Sequence, residues 1–139
     1  MLVPTTYWMI KNHPYQNFYF NFLLKNSSIQ NKFEVDYFGV SGRYALEYIL
    51  KNNKNKISIY TPNTMDLNLS FKLVDDPNKN RVSIVNSQSS SDFIINNYFD
   101  WKGKFKPNEY EVSNDFKLYH EIKIGELVIN SIYKRDTFK

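Results

Sequence analysis

FEVDYFGVSGRYALEYILKNNKNKISIYTP, residues 33–62, changes its hydrophobic period twice, and those changes decide the fold. Phe33, Val35 and Tyr37 alternate as in a strand, and Gly39 and Ser41 then interrupt the pattern. Tyr44, Ala45, Tyr48 and Ile49 follow at helical spacing, with Ser41 placed as the N-cap. Asn52 and Asn53 end the helix, and the β-branched run Ile57-Ser58-Ile59-Tyr60 reads as a strand halted by Pro62. Strand, helix, strand in this order predicts a right-handed crossover with parallel strands.

Downstream, Met65 to Asp76 carries two patterns. Leu67, Leu69, Phe71 and Leu73 alternate, while Met65, Leu69 and Leu73 lie four apart as on a helix. The α/β rhythm selects a short helix there, capped by Asn63 or Thr64. Asp76 to Asn80 is a turn, Val82 to Val85 a strand, the serine-rich stretch after it a loop, and Asp92 to Phe99 a further strand. Two apolar runs around Gly125-Glu126 form a closing hairpin, that dipeptide suiting a type II′ turn. The expected fold is therefore α/β. It is a mixed β-sheet with a parallel crossover unit, helices packed on it and a C-terminal antiparallel hairpin. One domain spans residues 1–139, with residues 1–12 as the end of a membrane helix or a linker.

A chain of 139 residues can bury one core without disulfides or metal. Hydrophobic residues at 42% and charged residues at 23% are those of a folding sequence. Aromatics reach 17%, alongside abundant Asn, Lys and Ile, a set that AT-rich codons supply without any ligand. The net charge of +4 would admit nucleic acid, anionic lipid or acidic glycan. The lysines are scattered and do not interleave with rings in a stripe, so no nucleic-acid partner is expected.

Zero cysteines exclude disulfides, thiolate zinc and a cysteine nucleophile. His13 and His120 lie far apart with no i, i+4 partner, so no metal is expected, and His120 reads as a half-buried packing residue in a strand. Asp75 and Asp76 flank a turn, where Asp serves local hydrogen bonding rather than acid–base chemistry. No dinucleotide, nucleophile-elbow or phosphate-loop motif occurs, so no cofactor and no catalytic residue are assigned. Nor is there an apolar run of the roughly 18 residues that a membrane helix needs. The first nine residues are nonetheless apolar, with Tyr7 beside Trp8, as in the aromatic belt at the end of a membrane span.

Two short motifs carry a resemblance. His13-Pro14-Tyr15-Gln16 continues into Tyr19-Phe20-Asn21, and Asp36-Tyr37-Phe38-Gly39 opens an alanine-bearing helix. In that order, behind a Trp-bearing apolar start, they resemble the C-terminal extracytoplasmic domain of bacterial polytopic membrane glycosyltransferases. These enzymes are related to the dolichyl-phosphate-mannose protein mannosyltransferases. Phe38 stands where the family has Trp, keeping a ring but removing an indole N–H donor. The resemblance implies a periplasmic, membrane-proximal domain without cofactor or catalysis of its own. The family's catalytic carboxylate lies in an early loop between membrane helices, and this sequence holds neither. Implied partners are the membrane-embedded helices or the membrane surface, with an acceptor glycan or protein beside them.

Two other classes compete with this reading. One is a free-standing glycan-binding module using rings such as Trp8, Tyr15 and Trp101, which the present reading expects not to form a platform. The other is a small soluble enzyme with a site assembled around His13 and Asp36. The resemblance further implies that the two motifs meet in space. Asp36, between apolar neighbours, would then accept a hydrogen bond from the His13 to Asn21 segment or from Arg43, because a buried carboxylate needs donors.

Overall fold

The computed structural model describes residues 2–13, 36, 39–63, 65–98 and 112–136. Its helices are α1 (Leu2–Lys11), α2 (Val40–Asn52) and α3 (Leu67–Lys72). Its strands are β1 (Ile57–Tyr60), β2 (Val82–Ile84), β3 (Phe93–Asn96), β4 (Phe116–Ile124) and β5 (Leu127–Arg135). The five strands form one mixed sheet in the order β2-β1-β3-β5-β4. β1 runs parallel to β2 and β3, and β5 is antiparallel to both β3 and β4. The α/β class, the mixed sheet and the C-terminal hairpin are those the sequence predicts.

The described parallel crossover is one element later than the expected one, whose first strand, apart from Asp36, lies outside the described residues. β1, α3 and β2 form it, with Ile57 opposite Val82 and Ile59 opposite Ile84. Asp36, assigned above to a strand, is a turn residue at φ 59. Phe33 to Val35 and Tyr37 lie outside the described residues. The link from β2 to β3 is short because β3 starts where β2 stops. Ile59 faces Ile84 on one side and Phe93 on the other, so the chain steps across β1 without turning back along it.

The core lies between α2 and the sheet. Ala45, Leu46, Ile49 and Leu50 face inward at 2% exposure or less, against Ile57, Ile59, Phe93, Ile95 and Ile132. Each such aliphatic side chain contributes roughly 1.5–3 kcal/mol on burial. The buried stripe is rotated from the one expected, because Tyr44 is exposed. Tyr48 rides the rim, its ring stacked on His120 at 3.9 Å between centroids, and His120 is half-buried in β4 as the sequence suggested.

The ends of α2 and α3 are closed by side chains. Asn52 Nδ2 donates to the Tyr48 carbonyl and Asn53 Nδ2 to that of Ile49, both at 2.8 Å. Arg81 adds bonds to the carbonyls of Asn53 (2.6 Å) and Leu50 (3.4 Å), setting a cation at the negative end of the helix dipole. α3 is capped by Asp66, whose Oδ1 accepts from the Leu69 N–H at 3.1 Å, in place of the expected Asn63 or Thr64. The Asn63 side chain instead ties the end of β1 to the end of β3 by donating to Asn96 Oδ1 at 3.0 Å. In the hairpin, Gly125 takes φ +63 at the first central position of a two-residue turn, the backbone a type II′ turn demands of glycine.

Arg135, the last residue of β5, fastens the hairpin to the loop before β3. Nε donates to the Ser91 carbonyl at 2.8 Å, and Nη2 donates to Gln88 at 2.6 Å and Ser89 at 3.0 Å. Its guanidinium lies 4.5 Å from the Phe116 ring centre. Only a planar fork reaches all three carbonyls at once. Arg135→Ala is expected to cost about 2–4 kcal/mol in urea unfolding, and Arg135→Lys to recover less than half of it. A lysine variant as stable as the parent would show that charge alone matters there.

Candidate functional site

Asp36 is the polar centre of the molecule. It stands three residues before Gly39, and both adopt left-handed backbone, at φ 59 and φ 62. Asp is among the few non-glycine residues that tolerate this region, and Gly39 tolerates it freely. The Gly39 N–H closes this turn on the Asp36 carbonyl at 2.8 Å. The turn folds the carboxylate back over the first turn of α2, where N–H groups have no partner within the helix. Ser41 is therefore not the N-cap. That position is taken by Gly39, which has no side chain to offer, and Asp36 caps the helix from outside.

Asp36 Oδ1 accepts from the Ser41 N–H at 3.2 Å, and Oδ2 accepts from the Ser41 hydroxyl and from Asn97 Nδ2 at 3.2 Å. Ser41 Oγ in turn accepts from Asn130 Nδ2 at 2.7 Å. The hydroxyl proton is committed to Asp36, so Asn130 can only donate to it, and the chain of bonds runs one way into the carboxylate. Asp36, Ser41, Asn97 and Asn130 are each at most 1% exposed. Burial is the largest influence on Asp36 and pushes its carboxyl above the ordinary value, while bonds from Ser41, Asn97 and the Val40 N–H pull it back.

A second polar cluster surrounds the end of β3. The Tyr98 hydroxyl donates to Ser131 Oγ and lies 3.3 Å from the Tyr133 hydroxyl. Burial pushes the Tyr98 hydroxyl well up. Asn96 Oδ1 accepts from Asn63 Nδ2 at 3.0 Å and from the Tyr98 N–H at 2.8 Å. Among the described residues three buried side-chain atoms have no hydrogen bond: Asn96 Nδ2, Asn130 Oδ1 and Arg81 Nε.

The sequence-selected residues fall into three groups. Asp36 and Gly39 form the turn just described. His13 is exposed at the end of α1, and Arg43 is exposed on α2, where its Nε donates to Glu47 Oε1 at 2.7 Å. Among the described residues the donors to Asp36 are Ser41, Asn97 and the Val40 backbone, and Arg43, expected among them, turns to its i+4 carboxylate; the expected donor segment after His13 lies outside the described residues. Pro14, Tyr15, Gln16, Asn21 and Tyr37 lie outside the described residues. So do Tyr15 and Trp101 of the ring set, while Trp8 is half-buried against the core.

Asn97 and Asn130 were not singled out from the sequence. One cue was available for each, an Asn inside or at the end of an apolar strand, where an amide must find a partner. The arrangement has a clear chemical capacity. A carboxylate enclosed on all sides and supplied with donors locks a helix to a sheet, and it has no open face from which to act on a substrate. No group of three or more His, Cys, Asp or Glu that could hold a metal occurs among the described residues. Comparison with models of known families, with curated proteins and with solved structures finds no match to this chain.

Asp36→Ala would strand three buried donors and place alanine at φ 59, at a cost of about 2–5 kcal/mol, or roughly 10 °C in Tm. Asp36→Asn keeps the backbone preference but loses the charge. The folded carboxyl is raised, so the native state holds its proton more tightly than the unfolded chain. Wild-type stability from this group therefore rises as pH falls from its raised value toward about 4. The Tm difference between wild type and Asp36→Asn should move in favour of wild type over that interval. A difference that is flat with pH would show that Asp36 titrates alike in both states.

Proposed function

We propose that this chain is a non-catalytic accessory domain of a polytopic bacterial membrane glycosyltransferase that uses lipid-phosphate-linked sugars. It lies on the periplasmic side, against the embedded helices or the membrane surface. The observation that carries the reading is the order of two motifs. His13-Pro14-Tyr15-Gln16 follows directly on a Trp-bearing apolar helix, and Asp36-Tyr37-Phe38-Gly39 opens α2. The enclosed position of Asp36 supports a structural use of the second motif, since a carboxylate at 0% exposure meets no substrate. No described helix is long and apolar enough to cross a membrane, so the proposal assigns the spanning segments to sequence outside these helices.

The purified chain, offered a polyprenyl-phosphate sugar and an acceptor, should show no transfer above the protein-free rate. The reading frame upstream of Met1 should encode a run of membrane helices. Turnover by the purified chain, or an upstream frame without such helices, would overturn the proposal.

A further inference from the structure

Helix α1 turns its apolar side outward. Thr5, Trp8 and Asn12, spaced three and four apart, form its half-buried stripe. Trp8 packs on the core, and Asn12 Nδ2 donates to the Trp8 carbonyl at 2.9 Å, closing the last turn. The opposite side carries Tyr7 at 66% exposure and Ile10 at 73%, with Met9 at 44% on the flank and exposed Lys11 at the end. A helix on a water-facing surface shows the reverse pattern, polar outside and apolar within. Contiguous outward apolar side chains mark a surface that meets something other than water.

Charge indicates what that is. No Asp or Glu precedes Glu34 in the chain, while Lys11, Lys25 and Lys32 and eight aromatic residues do. Rings and cations without carboxylates are the composition of a segment resting in the headgroup layer of an anionic bilayer. Of the other exposed aliphatics, Leu69 on α3 and Leu73 just past it lie close in sequence to Asp66, Asp75 and Asp76, which an anionic surface would repel, and Leu118 stands singly on β4.

We infer that the outward face of α1 is a docking surface for anionic lipid. Tyr7, Met9 and Ile10 enter the headgroup layer, and Lys11 meets lipid phosphate. The inference rests on the reading of the chain as a membrane-apposed domain and adds which face is apposed and to what chemistry.

Sedimentation with vesicles tests it. The chain should pellet with vesicles of phosphatidylglycerol and phosphatidylcholine, pellet far less with phosphatidylcholine alone, and be released by raised salt. Tyr7→Glu and Ile10→Glu should each weaken binding at least tenfold while the Tm stays near wild type, because neither side chain is buried. Leu69→Glu should leave binding unchanged. Absence of pelleting, or equal loss in the Leu69 variant, overturns the inference. So does a concentration-dependent dimer that Ile10→Glu disperses without any vesicle binding, since the face would then belong to a second copy. The parent reading fails separately, on the upstream reading frame. Membrane helices there without vesicle binding would remove only the α1 surface, and vesicle binding without them would remove only the glycosyltransferase assignment.

Discussion

A single enclosed carboxylate organises the protein. Asp36 is 0% exposed, and taking a charge out of water costs several kcal/mol unless donors surround it. The fold supplies them from three places that have no other reason to meet: the first turn of α2, the residue just past β3, and, through Ser41, the interior of β5. The position of α2 over the sheet is thus specified at its N-terminal end by hydrogen-bond direction. Along the rest of its length it is specified by apolar burial, which is strong but not directional. Hydrophobic packing alone would tolerate a slide or rotation of the helix. The geometry around Asp36 does not.

The opposite end of α2 is held on the same logic with the opposite sign. Arg81, at the start of β2, reaches the carbonyls of Leu50 and Asn53, so a buried anion heads the helix and a cation closes it. Both charges oppose the partial charges of the helix ends. Neither belongs to the helix itself, so α2 depends on the sheet around it for its termini as well as for its face. β2 and the end of β3 are each short, and their pairing with β1 is staggered. The side-chain bonds of Asn63, Arg81 and Arg135 supply cross-links that so few ladder bonds leave wanting.

What could be read from the sequence was what repeats. The helix over Val40–Asn52, the strands around Ile59 and Ile94 and the Gly125 hairpin each have a period or a turn signal spanning several residues. The boundaries that failed depend on one residue each. Asp36, expected inside a strand, takes left-handed backbone, and no periodicity announces such a residue. Tyr44 and Tyr48 fit an inward stripe as well as Leu46 and Leu50 do, and only the neighbouring sheet chooses between the two. The polar network was half legible. An acidic residue between apolar ones demanded a partner, but Arg43, near in sequence and charged, was the wrong choice beside Asn97 and Asn130. Those neutral amides become neighbours of Asp36 only through the sheet order.

The polar network also times assembly of the chain. Asn97 is 61 positions from Asp36, and Asn130 is 89 from Ser41. Loops of that size are slow to close, whereas the β4–β5 hairpin and α2 are local and quick to form. During synthesis α2 therefore emerges with its local cap, the Asp36 carboxylate, still in water. It stays so until the final strand arrives from the ribosome. Completion of the domain is then registered at its beginning, and a chain released short of Asn130 carries a helix whose capping carboxylate and Ser41 still lack the amide that encloses them.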